Sequence, residues 1–260
     1  MNFKTPFRLD EIKFENIRYT EVKHLSDKTI IYTQYENRNK LCDFVIQSPS
    51  LLNINLPEKS GSSYNLDIPL KGQNDNKTDL FIGFLNNLDR TIINDAKNNS
   101  SWFDNFIVDD NMTFHKTIRD SDDYKNGMFR AKIVKTSDFE TLLQINNKDK
   151  INTKNVPKDS YVKMILEVYA IWVNSSGFGI FIRPVLISFK PIIRKVYNYK
   201  LLDDSSEEED DVVNTEISNI FISQKDANLL KEDNNSLITS ALEFPNVENL
   251  SSTSSENMED

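Results

Sequence analysis

The chain has 260 residues, and its net charge of −9 hides two regions of opposite charge. Residues 1–200 carry 29 basic and 24 acidic side chains, a net charge of +5, whereas residues 201–260 carry 2 basic and 16 acidic ones, a net charge of −14. The single cysteine, Cys42, excludes an internal disulfide and a multi-cysteine zinc site, and two histidines are too few for most metal sites.

No segment reaches the ~20 continuous apolar residues that a membrane-spanning helix needs. The most apolar stretch, 164–189, is interrupted by Glu167, Asn174, Arg183 and Pro184. The chain begins with polar residues rather than with the apolar core of a secretory signal. We therefore expect a soluble, intracellular protein with no membrane partner.

Segments rich in β-branched and aromatic residues recur along the chain and predict strands. The predicted strands are 16–21, 28–35, 41–48, 63–70, 128–135, 161–174 and 177–189. One segment differs, because apolar residues over Thr78–Lys97 recur at three- and four-residue spacing, which predicts an amphipathic helix. Several strands with one main helix predict a mainly β (α+β) fold built as a small antiparallel barrel.

The best-defined predicted element is a hairpin formed by the last two strands. Strict alternation predicts that one face of the first strand is in the core: Val162, Met164, Leu166, Val168, Ala170 and Trp172. A turn is predicted at Asn174–Gly177. Pro184 cannot donate to a strand ladder, so it marks an edge position or a bulge in the return strand.

The charge division also predicts the domain organisation. Residues 1–200 are expected to form one folded domain and residues 201–260 an acidic, largely disordered tail. A basic surface attracts a polyanion such as nucleic acid, and a flexible acidic tail can compete for that surface. A tail that only keeps the chain solvated is the open alternative.

The sequence offers little support for catalysis. Cys42 lies in a strand-like segment and is expected to be a small buried side chain rather than a nucleophile. The carboxylate pairs Asp109-Asp110 and Asp122-Asp123 are expected in solvated loops, and no glycine-rich phosphate loop is present. We therefore expect a protein that is not an enzyme, with no cofactor and no metal.

Binding of single strands fits the residues better. Basic side chains beside aromatic rings on a β surface form the usual platform for single-stranded nucleic acid, since cations contact phosphates and rings stack on bases. The candidate residues are Arg130, Lys132, Lys163, Tyr169, Phe181, Arg183 and Trp102. Any one of these rings could instead pack in the core, and the Trp102-Phe103 pair after the helix could cap the barrel or shape a groove.

Several features together resemble the single-stranded-DNA-binding proteins of nucleocytoplasmic large DNA viruses. They are the Trp102-Phe103 pair after the helix, the Ile171-Trp172 strand end, the Gly177-Phe178-Gly179 turn, the segment Ile46-Gln47-Ser48-Pro49-Ser50-Leu51 and the acidic tail. The resemblance covers roughly residues 10 to 190. One departure is that the tail ends in Asn257-Met258-Glu259-Asp260 without the terminal aromatic of the related phage proteins.

The resemblance implies an OB-fold with a groove for single-stranded DNA, acting without sequence preference in viral DNA replication, recombination or repair. It also implies that the tail competes for the groove or recruits replication proteins, in the host cytoplasm or at a viral replication site. A homodimer is left open. The alternative function is a protein-interaction or virion-associated β-barrel with an acidic docking tail and no DNA binding.

Overall fold

A computed structural model describes residues 5–104, 106 and 112–192. The predicted acidic tail, 201–260, lies outside these residues. Within them, no helix is long and apolar enough to cross a membrane.

The described residues form one α-helix, α1 (Asp75–Asn98), and fourteen strands, most of them short. The strands are β1 (Ile17–His24), β2 (Thr29–Asn37), β3 (Lys40–Cys42), β4 (Val45–Gln47), β5 (Leu51–Asn53), β6 (Glu58–Ser60), β7 (Ser63–Pro69), β8 (Thr113–His115), β9 (Ile118–Arg119), β10 (Met128–Ile133), β11 (Leu142–Ile145), β12 (Asp149–Lys150), β13 (Ser160–Asn174) and β14 (Gly177–Pro191). This is the mainly β (α+β), OB-like fold that the sequence predicts.

The strands form two sheets around the long β13–β14 hairpin. The larger sheet follows the order β1-β2-β13-β14-β11-β12, with β3, β4, β5 and β8 attached at its sides. The smaller sheet has the order β6-β7-β10-β9. Pairing is mixed rather than wholly antiparallel, because β8 and β11 both join β14 in parallel.

The predicted hairpin is confirmed, including its turn and a bulge beside Pro184. Asn174 closes the turn, since its side-chain oxygen accepts hydrogen bonds from the backbone N–H of Ser176 and of Gly177, both at 3.0 Å. Ile165 pairs with Leu186 but Leu166 pairs with Pro184, so the extra residue Val185 forms the bulge. The bulge accommodates a residue that cannot donate to the ladder.

A second bulge corrects the prediction for Trp172. The alternation holds from Val162 to Val168, but the register with β14 shifts between Val168 and Ala170. Beyond the shift, Ile171 and Val173 fill the main core and Ala170 is buried in a separate small cluster with Ile30. Trp172 therefore lies half-buried on the opposite face instead of in the core.

The helix packs its apolar side against the sheets, as its periodicity predicts. Asn74 caps it by accepting a hydrogen bond from the Lys77 backbone N–H at 3.0 Å. Phe81, Phe84, Leu85, Leu88 and Ile92 are buried in the same core as β4, β7, β10 and β13. A short 3-10 helix, Ser100–Phe103, follows the helix and buries Trp102.

The strands differ from the predicted ones in two further ways: one predicted strand is divided, and several short strands are not predicted. The expected strand 41–48 is two short strands, because β3 pairs with β2 whereas β4 pairs with β13. The Gln-Ser-Pro segment ends β4: Ser48 is buried, its hydroxyl accepts a hydrogen bond from the Met164 backbone N–H at 2.9 Å, and its own N–H donates to the Met164 carbonyl. Strands β5, β6, β8, β9, β11 and β12 are too short to show a period and are not predicted.

Candidate nucleic-acid interface

A groove of about 490 Å³ opens where the smaller sheet meets the β13–β14 hairpin. One wall is the segment from β8 to β9, Phe114–Asp120; another is β10 with Arg130 and Lys132; the hairpin contributes Trp172 and residues 180–182. Four lining side chains are cationic: Lys116, Arg119, Arg130 and Lys132. The groove therefore combines positive charge with aromatic rings.

Two arginines lie on one face of neighbouring strands in this groove. Arg119 pairs with Met128, two residues before Arg130 on β10, so both side chains leave the sheet on the same side. Arg130 donates two hydrogen bonds to the Asp67 carboxylate, at 2.7 and 2.6 Å, and these bonds raise the pKa of Arg130. Asp67 thus already neutralises one of the two cations.

Arg119 has no such partner. Among the residues that the structure describes, none forms a hydrogen bond or an ion pair with its half-buried guanidinium. Burial and the charge of Arg130 lower the pKa of Arg119, and Asp67 offsets this only in part. Because arginine stays charged, its partly desolvated charge would be stabilised by an anion in the groove.

Rings line the other side of the groove, where β8 and the end of β13 pair with the start of β14. Trp172 lies across from Gly179, where a Cβ would come within 2.9 Å of the Trp172 ring. Its ring centroid is 5.2 Å from that of His115, and Phe114 packs on Phe178 at 5.1 Å. Trp172 and Phe114 are half-buried, so neither side chain is fully enclosed by the core.

Close approach of neighbouring groups explains both glycines of the Gly177-Phe178-Gly179 turn: β8 lies against Gly177, and both β8 and the Trp172 ring lie against Gly179. A Cβ on Gly177 would lie 2.1 Å from the Thr113 carbonyl oxygen, and one on Gly179 would lie 3.1 Å from the His115 carbonyl oxygen. At position 177 only a residue without a side chain lets β8 pair with β14 at this distance, whereas a Cβ at position 179 would first meet the Trp172 ring. The glycines therefore allow β8 to form a wall of the groove.

Three of the candidate residues from the sequence lie in this groove, namely Arg130, Lys132 and Phe181. The others do not line it. Lys163 is exposed on β13, and Tyr169 packs edge-on against Tyr32 at 5.3 Å. Trp102 is only 2% exposed and is in contact with Tyr19, so the core covers the ring surface that base stacking would require.

Arg183 is engaged within the protein. Its guanidinium donates to the Glu167 carboxylate at 2.8 Å, and both side chains are nearly buried, at 15% and 13% exposed. It also stacks between the rings of Tyr169 and Phe139, 3.5 and 4.1 Å from their centroids. This arrangement ties β13 and β14 to the 136–140 loop and leaves little of the cation for a phosphate.

Five groove residues are not among the candidates from the sequence: Phe114, His115, Lys116, Arg119 and Trp172. Most come from short strands that carry no periodic signal. His115 Nε2 is buried without a hydrogen-bond partner among the described residues, and burial lowers the pKa of His115. Among the residues that the structure describes, no group of three or more His, Cys, Asp or Glu side chains could hold a metal ion.

Comparison with known proteins adds little to this geometry. No family model and no curated protein matches the chain. Among solved structures, it is similar to a C-terminally truncated single-stranded DNA-binding protein from bacteriophage Enc34, at 10% sequence identity and a TM-score of 0.35, over 69% of this chain and 98% of that chain. A similarity at that identity and TM-score carries no argument about what this chain binds.

Proposed function

We propose that this protein binds single-stranded DNA without sequence preference in the groove between β8–β9, β10 and the β13–β14 hairpin. Arg119, Arg130, Lys132 and Lys116 contact phosphates, while Trp172, Phe114 and Phe181 offer ring surfaces to bases. Every base has a π-face, so stacking tolerates any sequence. A role in viral DNA replication, recombination or repair is part of this proposal and follows from the sequence resemblance.

The observation that carries the proposal is the half-buried Arg119, whose guanidinium forms no hydrogen bond or ion pair with any residue that the structure describes. A half-buried guanidinium whose charge Asp67 offsets only in part costs free energy in the unbound protein, and a phosphate in the groove would reduce this cost. The adjacent rings distinguish the expected ligand from a simple inorganic anion, because they match unstacked bases.

Replacing Arg119 with alanine is expected to weaken binding of a labelled oligo-dT about tenfold, the loss of roughly 1.4 kcal/mol for one charge-assisted phosphate contact. The slope of log affinity against log salt should become shallower by about 1. Fluorescence anisotropy across a salt series measures both quantities. A duplex of the same length should bind more weakly than the single strand, because its bases cannot stack on the rings.

The matched control is Arg90→Ala, which removes the same charge from an exposed site on α1 that does not line the groove. It should leave the affinity within about twofold and the salt slope unchanged. Equal losses in the two variants would show that only net charge matters and would contradict a specific groove. No binding by the unmodified chain would favour a protein-interaction module instead.

We further propose that the acidic tail competes with DNA for the groove. Ile182, in the groove, lies ten residues before Ile192 along β14, roughly 33 Å. The eleven residues that follow Ile192, up to Asp203, can span up to roughly 38 Å, so chain length does not prevent the run Asp203–Asp211 from reaching the groove.

A chain ending at Lys200 should therefore bind oligo-dT more tightly, by about tenfold at low salt and less as salt screens the tail. The control keeps the tail length and replaces the seven acids of Asp203–Asp211 with asparagine or glutamine. Anisotropy should show tighter binding for both variants. Affinity that is unchanged in both would contradict competition and favour recruitment of replication proteins by the tail.

A further inference from the structure

Asp89 is a buried carboxylate on α1 that faces the back of the groove wall. It is 6% exposed and lies beside the buried apolar residues Leu85, Leu88 and Ile92. No lysine or arginine in the described part of the chain forms an ion pair with it. Burial raises the pKa of Asp89, while hydrogen bonds from Thr117 and the charge of Lys116 act in the opposite direction.

Both hydrogen bonds to Asp89 come from one residue of the groove wall. The Thr117 backbone N–H donates to one carboxylate oxygen at 3.0 Å, and the Thr117 hydroxyl donates to the other at 2.5 Å. Thr117 lies between Lys116 and Arg119 and lines the groove itself. The two bonds therefore fix both the backbone and the side chain of Thr117 from behind.

We propose that Asp89 is a positioning residue of the groove: by holding Thr117, it sets the loop that presents Lys116 and Arg119 to DNA. The inference rests on the proposed function. Among the described residues, hydrogen bonds that offset the free energy of burying the Asp89 carboxylate come from this loop alone, which links the helix to the cationic wall. Phosphate contacts lose affinity when the cations that form them are not held in place.

Three variants test this role. Asp89→Ala removes both acceptors and should weaken oligo-dT binding about tenfold, with a salt slope shallower by about 1 to 2. Thr117→Val removes the hydroxyl bond alone and should weaken binding about threefold. Thr117→Ser keeps the hydroxyl and should bind like the unmodified chain. Ile92→Val, a buried change on the same helix outside the groove, is the control and should not change affinity.

Hydrogen exchange supplies a readout that does not require DNA. The Thr117 amide should exchange slowly in the unmodified chain and at least tenfold faster after Asp89→Ala, because its acceptor is gone. If Asp89→Ala does not fold, the two Thr117 variants still test the inference. Thr117→Val should lose oligo-dT affinity, and Thr117→Ser, which keeps the hydroxyl, should retain it.

The outcomes separate the inference from the proposed function. Failure of the unmodified chain to bind oligo-dT would overturn both the function and the role of Asp89 in DNA binding, and the exchange result would then show only whether Asp89 holds the loop. Binding by the unmodified chain, with unchanged affinity and slope in Asp89→Ala and Thr117→Val, would overturn the inference alone. Faster exchange with unchanged affinity would also overturn it, since the loop would then be held for stability only.

Discussion

Replacing Trp102 with alanine is expected to lower the free energy of unfolding by about 3–5 kcal/mol, the cost of emptying a buried site of this size. The ring is 2% exposed and packs edge-on against Tyr19, with 4.8 Å between ring centroids. Tyr19 in turn donates a hydrogen bond to Asp95 on α1, so loss of the ring also loosens the contact between β1 and the helix. Urea unfolding followed by circular dichroism measures the loss.

The other tryptophan provides the matched control. Trp172 is half-buried in the groove, and Trp172→Ala should cost roughly 1 kcal/mol of stability but about 1–3 kcal/mol of oligo-dT binding, the range found for base stacking. A chain with Trp102→Phe keeps Trp172 alone, and its fluorescence should change when oligo-dT is added. A DNA-dependent change that persists in Trp172→Phe would instead place Trp102 at the DNA.

Replacing Glu167 with glutamine is expected to lower the free energy of unfolding by about 2–4 kcal/mol, because it leaves the charge of Arg183 nearly buried and without a counter-ion. The rings of Tyr169 and Phe139 both lie against the guanidinium, so moving it further into water would disturb these ring contacts. Urea unfolding again measures the effect.

The control for this prediction removes the cation as well. In the double variant Glu167→Gln/Arg183→Met, methionine occupies the space between the rings without a charge, and most of the stability should return. Arg183→Met alone should change oligo-dT affinity by no more than about twofold, since Arg183 does not line the groove. A tenfold loss of affinity in that variant would restore Arg183 as a DNA contact.

The long elements of this fold could be predicted from the sequence because their burial is periodic. α1 buries one face over Asp75–Asn98, and the β13–β14 hairpin shows two-residue alternation up to Val168. The inversion beyond Val168 could not be predicted, because a bulge is set by pairing with β14 and leaves no mark in the local pattern. That inversion is why Trp172 faces the groove.

The candidate site was predictable only in part, for a related reason. Arg130, Lys132 and Phe181 lie on long strands, where alternation indicates which side chains share a face. Whether a cation is already paired depends on a residue elsewhere in the sequence: Asp67 forms an ion pair with Arg130 and Glu167 forms one with Arg183, while no described residue forms one with Arg119. Sequence alone does not contain these pairings, which decide the electrostatics of the groove.

The parallel pairing of β8 with β14 has a consequence for the order of folding. The β13–β14 hairpin joins residues that are close in sequence through a two-residue turn, whereas Thr113–His115 must find Gly177–Gly179 across the whole intervening segment. Contacts that close a long loop pay its entropy before they gain stability, so they tend to form late. The β8 wall is therefore expected to dock after the hairpin has formed, so the groove that β8 lines is completed only once β13 and β14 are already paired.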